Sequence, residues 1–299
     1  KQYNNKQNKQ NMKKILLLLL LFTEIVNGQI VNIPDANFKA KLIALGVDSN
    51  TDGLIQNTEA LAITNLNVLN SNIADLTGIE AFTNLSSLHC GSNNLTTLNL
   101  TTLSNLSILS CGFNQLTSLN VLSSTNLTEL QCGYNNLTEL DLHGLAILNR
   151  LTCSSNDLTS LNVDGCLALD TAYVDENQFT SLDFSNTALR EFSCENNPVL
   201  EYVNMKNGMI SGGFTPVLSF TFTPLLKFIC VDENEDTTVL NTLGENLSQV
   251  IVSSYCTFVP GGNFNTITGN VLYDFNNNGC DTADFANPYT KVNINNGTN

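Results

Sequence analysis

Asp48, Asn50 and Asp52 alternate along DSNTDGLIQNTE, residues 48–59, with Gly53 next and Glu59 closing the stretch. Oxygen donors at the first, third, fifth and twelfth positions, with a glycine at the sixth, are what a calcium loop requires. Asp48, Asn50 and Asp52 would supply side-chain oxygens, Leu54 its carbonyl, Gln56 a hold on a water, and Glu59 two oxygens. Ile55 has the apolar character that anchors such a loop. The cofactor expected from this pattern is a structural Ca2+; the competing reading is an acidic turn that only caps the fold. A second acidic run, GNVLYDFNNNGCDTADFANPYTKVNI, residues 269–294, offers Asp274, Asn276, Asn278 and Asp281. Phe285 stands where the closing glutamate would be, which leaves an irregular calcium site or an Asn/Gly-rich turn between two strands.

The thiols have a beat of their own. Cys90, Cys111, Cys132 and Cys153 each precede the next by 21 residues, Val174 takes the next beat, and Cys194 follows. Zinc needs converging ligands, often as C-x-x-C pairs, and the sequence has none. Stacked thiols on parallel strands lie near one another but point side by side, which disfavours bridging. A position that accepts valine in place of cysteine is best read as small apolar filler, with a disulfide and a metal site as the alternatives. Cys166 falls on another line of the same core, and Cys230, in LLKFICVDEN, reads as a continuation of the strand motif. A Cys230–Cys256 bridge would seal the end of the stack.

Catalytic signals are sparse. There are two histidines, His89 and His143. His89 adjoins Cys90 on a strand, so the two side chains point to opposite faces and make no dyad. H-E-x-x-H, G-x-S-x-G and glycine-rich phosphate loops do not occur. The reading is that the chain is not an enzyme.

The elements behind these residues follow from the leucines. Leu85/Leu88, Leu106/Leu109, Leu127/Leu130 and Leu148/Leu151 move with the thiols, as do Asn93, Asn114, Asn135, Asn156, Asn177 and Asn197. L-x-x-L-x-[apolar]-x-x-N-x-L at this period is the leucine-rich repeat signature. Each unit is expected to give a short strand that pairs in parallel with the next. Leu88 and Cys90 point inward, the asparagine satisfies the turn, and Leu95, Leu98 and Leu100 close the convex side. DANFKAKLIALG and NTEALAIT, on either side of residues 48–59, read as short helices, Asp35 or Asn37 capping the first.

The chain has 299 residues, 12 Lys and Arg against 27 Asp and Glu, and a formal charge of −15. Lys13 and Lys14, the apolar run Ile15 to Phe22, and Val26 and Gly28 before a cut read as a secretory signal peptide after a polar leader. Five of the basic residues and one acid fall in residues 1–28, leaving 7 against 26 beyond it. Such a surface repels nucleic acid and anionic lipid and suits cations, basic partners or neutral glycans. No later stretch has the length of a membrane-spanning helix.

ITNLNVLNSNIADLTGIEAFTN, residues 63–84, and the units after it resemble the repeats of bacterial internalin-like leucine-rich repeat proteins. The resemblance covers about residues 60–235 and implies binding, adhesion or scaffolding rather than catalysis. Caps in such proteins resemble a degraded, metal-free EF-hand, whereas every ligand position of residues 48–59 is intact. Residues 269–294 resemble the opening of the B-type β-sandwich repeats of bacterial adhesins, and the chain ends inside them, as a truncated reading frame would. The expected fold is an α/β solenoid: a leucine-rich repeat with a parallel β-sheet on its concave face, a short helical N-terminal cap and a truncated all-β domain at the C-terminus. The expected boundaries are 1–28 leader and signal, 29–62 cap, 63–235 repeats, 236–260 closing cap and 261–299 the β-sandwich start. The pattern loosens between Lys206 and Pro224, where an enlarged unit is expected.

The expected ligand face runs across the concave strands. It starts at Ser87 and His89, continues through Ser110, Glu129 and Gln131, then Arg150 and Thr152. Tyr173 and Asp175 follow, and Glu191, Ser193 and Glu195 end it; Phe113 and Tyr134 flank one edge. An extended, ridged surface suits a protein or glycan better than a small molecule. The function expected is an exported, monomeric binding or adhesion protein. The alternatives are an accessory arm of a secreted hydrolase and a passive envelope scaffold.

Overall fold

The computed structural model describes residues 28–208 and 217–233, single residues and short runs between 235 and 256, and the pairs 272–273 and 285–286. The leader and signal region, and the second acidic loop with Asp274, Asn276, Asn278 and Asp281, lie outside the described residues.

The first compact unit ends at Pro260. It opens with helix α1 (Ala36–Ala44), capped by Asp35, whose Oδ1 accepts the Phe38 N–H at 2.9 Å. The other oxygen of Asp35 accepts the N–H groups of Ala74 and Asp75, so one carboxylate both starts the helix and ties it to the first repeat. Glycine is required at the same joint: a Cβ on Gly78 would lie 2.7 Å from the Asn32 carbonyl oxygen, and its φ is +104°. Helix α2 (Asn57–Leu61) follows the acidic loop.

The repeats then lay down three-residue strands: β1 (Asn65–Asn67), β2 (Ser87–His89), β3 (Ile108–Ser110), β4 (Glu129–Gln131), β5 (Glu139–Asp141), β6 (Arg150–Thr152), β7 (Ser160–Asn162), β8 (Thr171–Tyr173), β9 (Ser181–Asp183), β10 (Glu191–Ser193), β11 (Tyr202–Asn204), β12 (Val217–Ser219), β13 (Phe228–Cys230) and β14 (Ile251–Ser253). One parallel sheet has the order β1-β2-β3-β4-β6-β8-β10-β12, and its central leucines pair in register, Leu88 with Leu109, Leu130 and Leu151. The back is also strand. β5 pairs with β7, and a four-stranded parallel sheet runs β14-β13-β11-β9. The α of the expected α/β class is met in the two cap helices and one 3-10 turn, Ile79–Ala81, while the repeats described are built on strands front and back. Three-residue strands suffice behind because Leu140, Leu182 and Val203 each plug the same core from the opposite side.

Cys90, Cys111, Cys132, Cys153, Cys166 and Cys194 are free thiols with no exposed surface. Burial pushes their acidity down, Cys111 to a pKa of about 12 and Cys166 to about 11, so the thiolate needed for bridging or metal binding does not form at neutral pH. Cys230 departs from the expectation. It does not continue this ladder: the N–H of Cys194 pairs with the Ser219 carbonyl, and Phe220 takes the next beat. The unit between is longer, Phe192 pairing with Leu218, and Cys230 sits in the back sheet opposite Asn204. Its bond to Cys256 is present, with a Cα separation of 5.4 Å, and joins β13 to the segment after β14.

The asparagine ladder binds turn to turn. Asn135 donates from Nδ2 to the carbonyls of Cys111 and Cys132, at 3.2 and 3.0 Å, and accepts the Leu116 N–H on Oδ1. Asn114, Asn156, Asn177 and Asn197 repeat the arrangement. Among the described residues no buried side-chain nitrogen or oxygen lacks a partner.

The second unit, Gly261–Asn299, shows one antiparallel pair, β15 (Leu272–Tyr273) with β16 (Phe285–Ala286).

Candidate functional site

The strand alternation that hides Leu130 and Cys132 turns Glu129 and Gln131 to the concave face, and the same holds turn after turn. The first half of the row is linked by a few side-chain contacts. Ser87 is buried rather than open, 6% exposed, because His89 folds over it with Nε2 at 2.9 Å from the hydroxyl. This Ser–His contact was not legible in the sequence; no carboxylate orients His89 among the described residues, so it lacks the third member that acyl-transfer chemistry uses. Ser110 donates to Gln131, and Gln131 to Glu129 at 2.7 Å. Arg150 stands exposed in the middle of the face.

The later half is a connected acidic network. Tyr173 donates its hydroxyl to Glu191, which raises the Tyr173 pKa, and Thr171 reaches the second oxygen of the same carboxylate. Ser193, Ser154 and the Glu195 N–H all donate to Asp175, and Ser219 donates to Glu195. The structure thus brings Tyr173, Asp175, Glu191, Ser193 and Glu195 together, while Arg150 and Thr152 stand between this group and Glu129 and Gln131.

One edge of the sheet carries the aromatic pair. Phe113 and Tyr134 are 58% and 51% exposed, and their rings stack 4.1 Å apart at 9°. Both have positive φ, 56° and 57°, a left-handed conformation that costs a bulky residue roughly 1–2 kcal/mol. Their N–H groups bond the carbonyls of Gly133 and Ser154, so each ring is held one turn from the next. Gly112 and Gly133 precede them, where a Cβ would meet the next turn's carbonyl oxygen at 2.8 Å. Glycine keeps this track bare beside the rings.

The acidic loop of the cap is held by carboxylate and amide oxygens that accept its own backbone N–H groups. Asp48 accepts the N–H groups of Asp52 and Gly53, Asn50 that of Asp52, and Asp52 that of Leu54. The donor chemistry fits calcium: carboxylates at Asp48, Asp52 and Glu59 and amide oxygens at Asn50 and Gln56. The arrangement is not a closed cage. Among the described residues no three carboxylate, imidazole or thiol groups converge on a cation position. The amide nitrogens of Asn50 and Gln56 donate to Asp52 Oδ2, and Glu59 is turned onto the N–H groups of Ser49, Asn50 and Gln56. Burial raises the Glu59 pKa, but those hydrogen bonds outweigh it and hold the carboxyl below its ordinary range. Rotating the two amides would present oxygen instead.

A separate groove of about 430 Å³ lies against the back strands, lined by Ser118, Asn120, Glu139, Asp141 and Asn162. His143 lies beside it, its Nδ1 3.0 Å from Asp141. Among the described residues no helix is long and apolar enough to cross a membrane.

Parallel three-residue strands in one register, an inward leucine and thiol on each turn, and an asparagine bridging successive turns decide the architecture. The chain is a leucine-rich repeat solenoid. Over 68 residues it is 43% identical to Internalin J of Listeria monocytogenes serotype 4b (strain F2365); that stretch is 23% of this chain and 7% of that protein. Among solved structures it is similar to the functional domain of the Listeria monocytogenes internalin J, described as including a cysteine ladder, at 22% identity and a TM-score of 0.29, covering 70% of this chain and 69% of that one. It is also similar to internalin C2 of the same species, strain 4b F2365, at 16% identity and a TM-score of 0.45, over 77% of this chain and 95% of the other. No family model matches the chain. The matched stretch spans only 7% of the curated relative's length.

Proposed function

We propose that this is an exported protein that binds a protein or glycan through the concave sheet and its aromatic edge, without catalysing a reaction. The observation that carries the reading is the Phe113–Tyr134 stack: two large rings, more than half exposed, kept in a strained backbone conformation that buries little of them. Asn70 and Asn196 hold the equivalent left-handed position with the residue type that suits it better, so folding alone does not call for rings there. Export is supported by the basic-apolar-small pattern of residues 12–28 and by the Cys230–Cys256 bridge, which persists in oxidising compartments.

Calcium at residues 48–59 belongs to the same proposal. Asp48, Asn50, Asp52, the Leu54 carbonyl, Gln56 and Glu59 would hold it, and the cation would neutralise the carboxylates that start the solenoid.

The test is binding of the full chain to cells and extracellular matrix. A Tyr173→Phe/Glu191→Gln/Glu195→Gln variant is expected to lose most of the signal; retention of full binding contradicts the concave-face reading. Isothermal titration with calcium, with an Asp48→Ala control, is expected to show heat only in the parent chain, at millimolar or lower calcium. No heat removes the metal from the proposal.

A further inference from the structure

We infer that the solenoid edge carries a slot for an arginine side chain of a basic protein partner, between Tyr134 and Glu176 over Ser155. This rests on the binding role proposed above and names the chemistry of the partner.

The residue before each ladder asparagine has a left-handed backbone: Ser92, Phe113, Tyr134, Ser155, Glu176 and Asn196, with φ from 53° to 57°. Their N–H groups pair with the carbonyls of the following turn, Ser155 with Asp175 and Glu176 with Glu195 at 2.9 and 2.8 Å. The side chains therefore line up in one row, a strand spacing apart. Phe113 covers one face of Tyr134. The other face looks along the row toward Ser155, which is too short to cover it. Glu176, exposed one turn further, leans back: Ser155 donates to its Oε2 at 2.7 Å.

Two strand spacings, about 10 Å, thus separate the open ring face from the turn that carries the carboxylate. A planar cation stacked at roughly 3.5–4 Å on Tyr134 fits above the serine, with its edge toward Glu176. Guanidinium matches on three counts. It is flat enough to stack, it carries N–H groups at its edge for a carboxylate, and it is positive against a chain of formal charge −15. Ammonium has the charge without the plane. The row's opposite end makes the contrast: beyond Phe113 stand Ser92 and then Asn70, a neutral amide. Asp175, Glu191 and Glu195 on the adjoining concave strands extend the negative field from the slot across the later half of the sheet.

The test titrates the full chain with a capped nonapeptide bearing three arginines, its lysine counterpart and cellohexaose, following the Tyr134 ring resonances by NMR. The arginine peptide is expected to shift them and to bind at least five-fold more tightly than the lysine peptide. Glu176→Gln and Tyr134→Asn are each expected to weaken binding at least five-fold, asparagine being at home in the left-handed conformation. Ser155→Tyr should block the slot. Glu139→Gln, which removes the same charge from the back strands, should change nothing. Equal affinity for the two peptides, or an equal loss from Glu139→Gln, reduces the effect to bulk charge and overturns the inference; cellohexaose shifting Tyr134 in their place overturns it in favour of a glycan. The two proposals fail separately. Loss of cell binding in the Tyr173/Glu191/Glu195 variant without arginine-peptide binding leaves the concave-face role standing and removes the slot.

Discussion

The turns from Cys90 to Cys153 and the turns from Val174 to Phe220 share a backbone but fill it differently. In the early turns each strand gives one leucine and one thiol, and the asparagine bridges two carbonyls. In the later turns the inward residues swing from Ala172 to Phe192, and the rings of Phe184, Phe192 and Phe220 pack edge to face at 5.2 and 5.8 Å. Thr223 ends the asparagine line, making a single side-chain bond to the Phe220 carbonyl at 2.6 Å. The early turns rest on interchangeable filler and the later ones on volumes that complement one another across neighbouring turns, while the asparagine bridges run through both as far as Asn197. The connected acidic group Asp175, Glu191 and Glu195 lies on the irregular half.

The comparison breaks most plainly at the polar ladder. Asn135→Ala strips two turns of carbonyl partners and is expected to cost about 3–5 kcal/mol in urea unfolding, since each buried group left unpaired costs roughly 1–3 kcal/mol. Thr223→Ala, the later counterpart, is expected to cost about 1 kcal/mol. Similar losses at both would mean that the two halves are held alike.

Exchanging the ladder residue itself comes next. Phe220→Cys leaves a cavity beside Phe192 and is expected to cost about 3 kcal/mol. Cys132→Phe forces a ring among close-packed leucines, at about 1–3 kcal/mol. Tolerance of phenylalanine at Cys132 would show spare volume that the early turns are argued to lack.

Legibility followed the same division. Leucine, cysteine and asparagine at a fixed beat report local, repeated contacts, and the strand register and thiol burial could be read from Leu88, Cys90 and Asn93 alone. The back sheet could not, because its three-residue strands carry too short a pattern. Cys230 was misplaced because the longer unit before it breaks the count, and only the pairing of Phe192 with Leu218 restores it. In the site, Phe113 and Tyr134 were legible as edge residues. Their left-handed backbone and their stacking were not, since both depend on bonds to the following turn. The acidic loop was legible as a donor set, whereas the turn of Glu59 onto backbone N–H groups is a matter of rotamers that spacing does not encode.

A smaller effect sharpens the account of the thiols. Their folded pKa values lie above those of the unfolded chain, so the stability they lend is complete below about pH 9 and is lost as pH climbs toward the folded values, about 11 for Cys166 and 12 for Cys111. Cys111→Ala is expected to lessen the alkaline loss of stability by roughly 1 kcal/mol at pH 10, read from urea midpoints at pH 8 and pH 10. An unchanged slope would mean that this thiol ionises freely in the native state.

The most direct measurement is peptide-resolved thiol labelling of the native chain with iodoacetamide, compared with the chain in guanidinium. Burial as filler predicts that Cys90, Cys111, Cys132, Cys153, Cys166 and Cys194 stay unlabelled in the native state and are all modified once unfolded. Rapid native labelling of the four evenly spaced cysteines, or resistance that persists in guanidinium until a reductant or chelator is added, would contradict it.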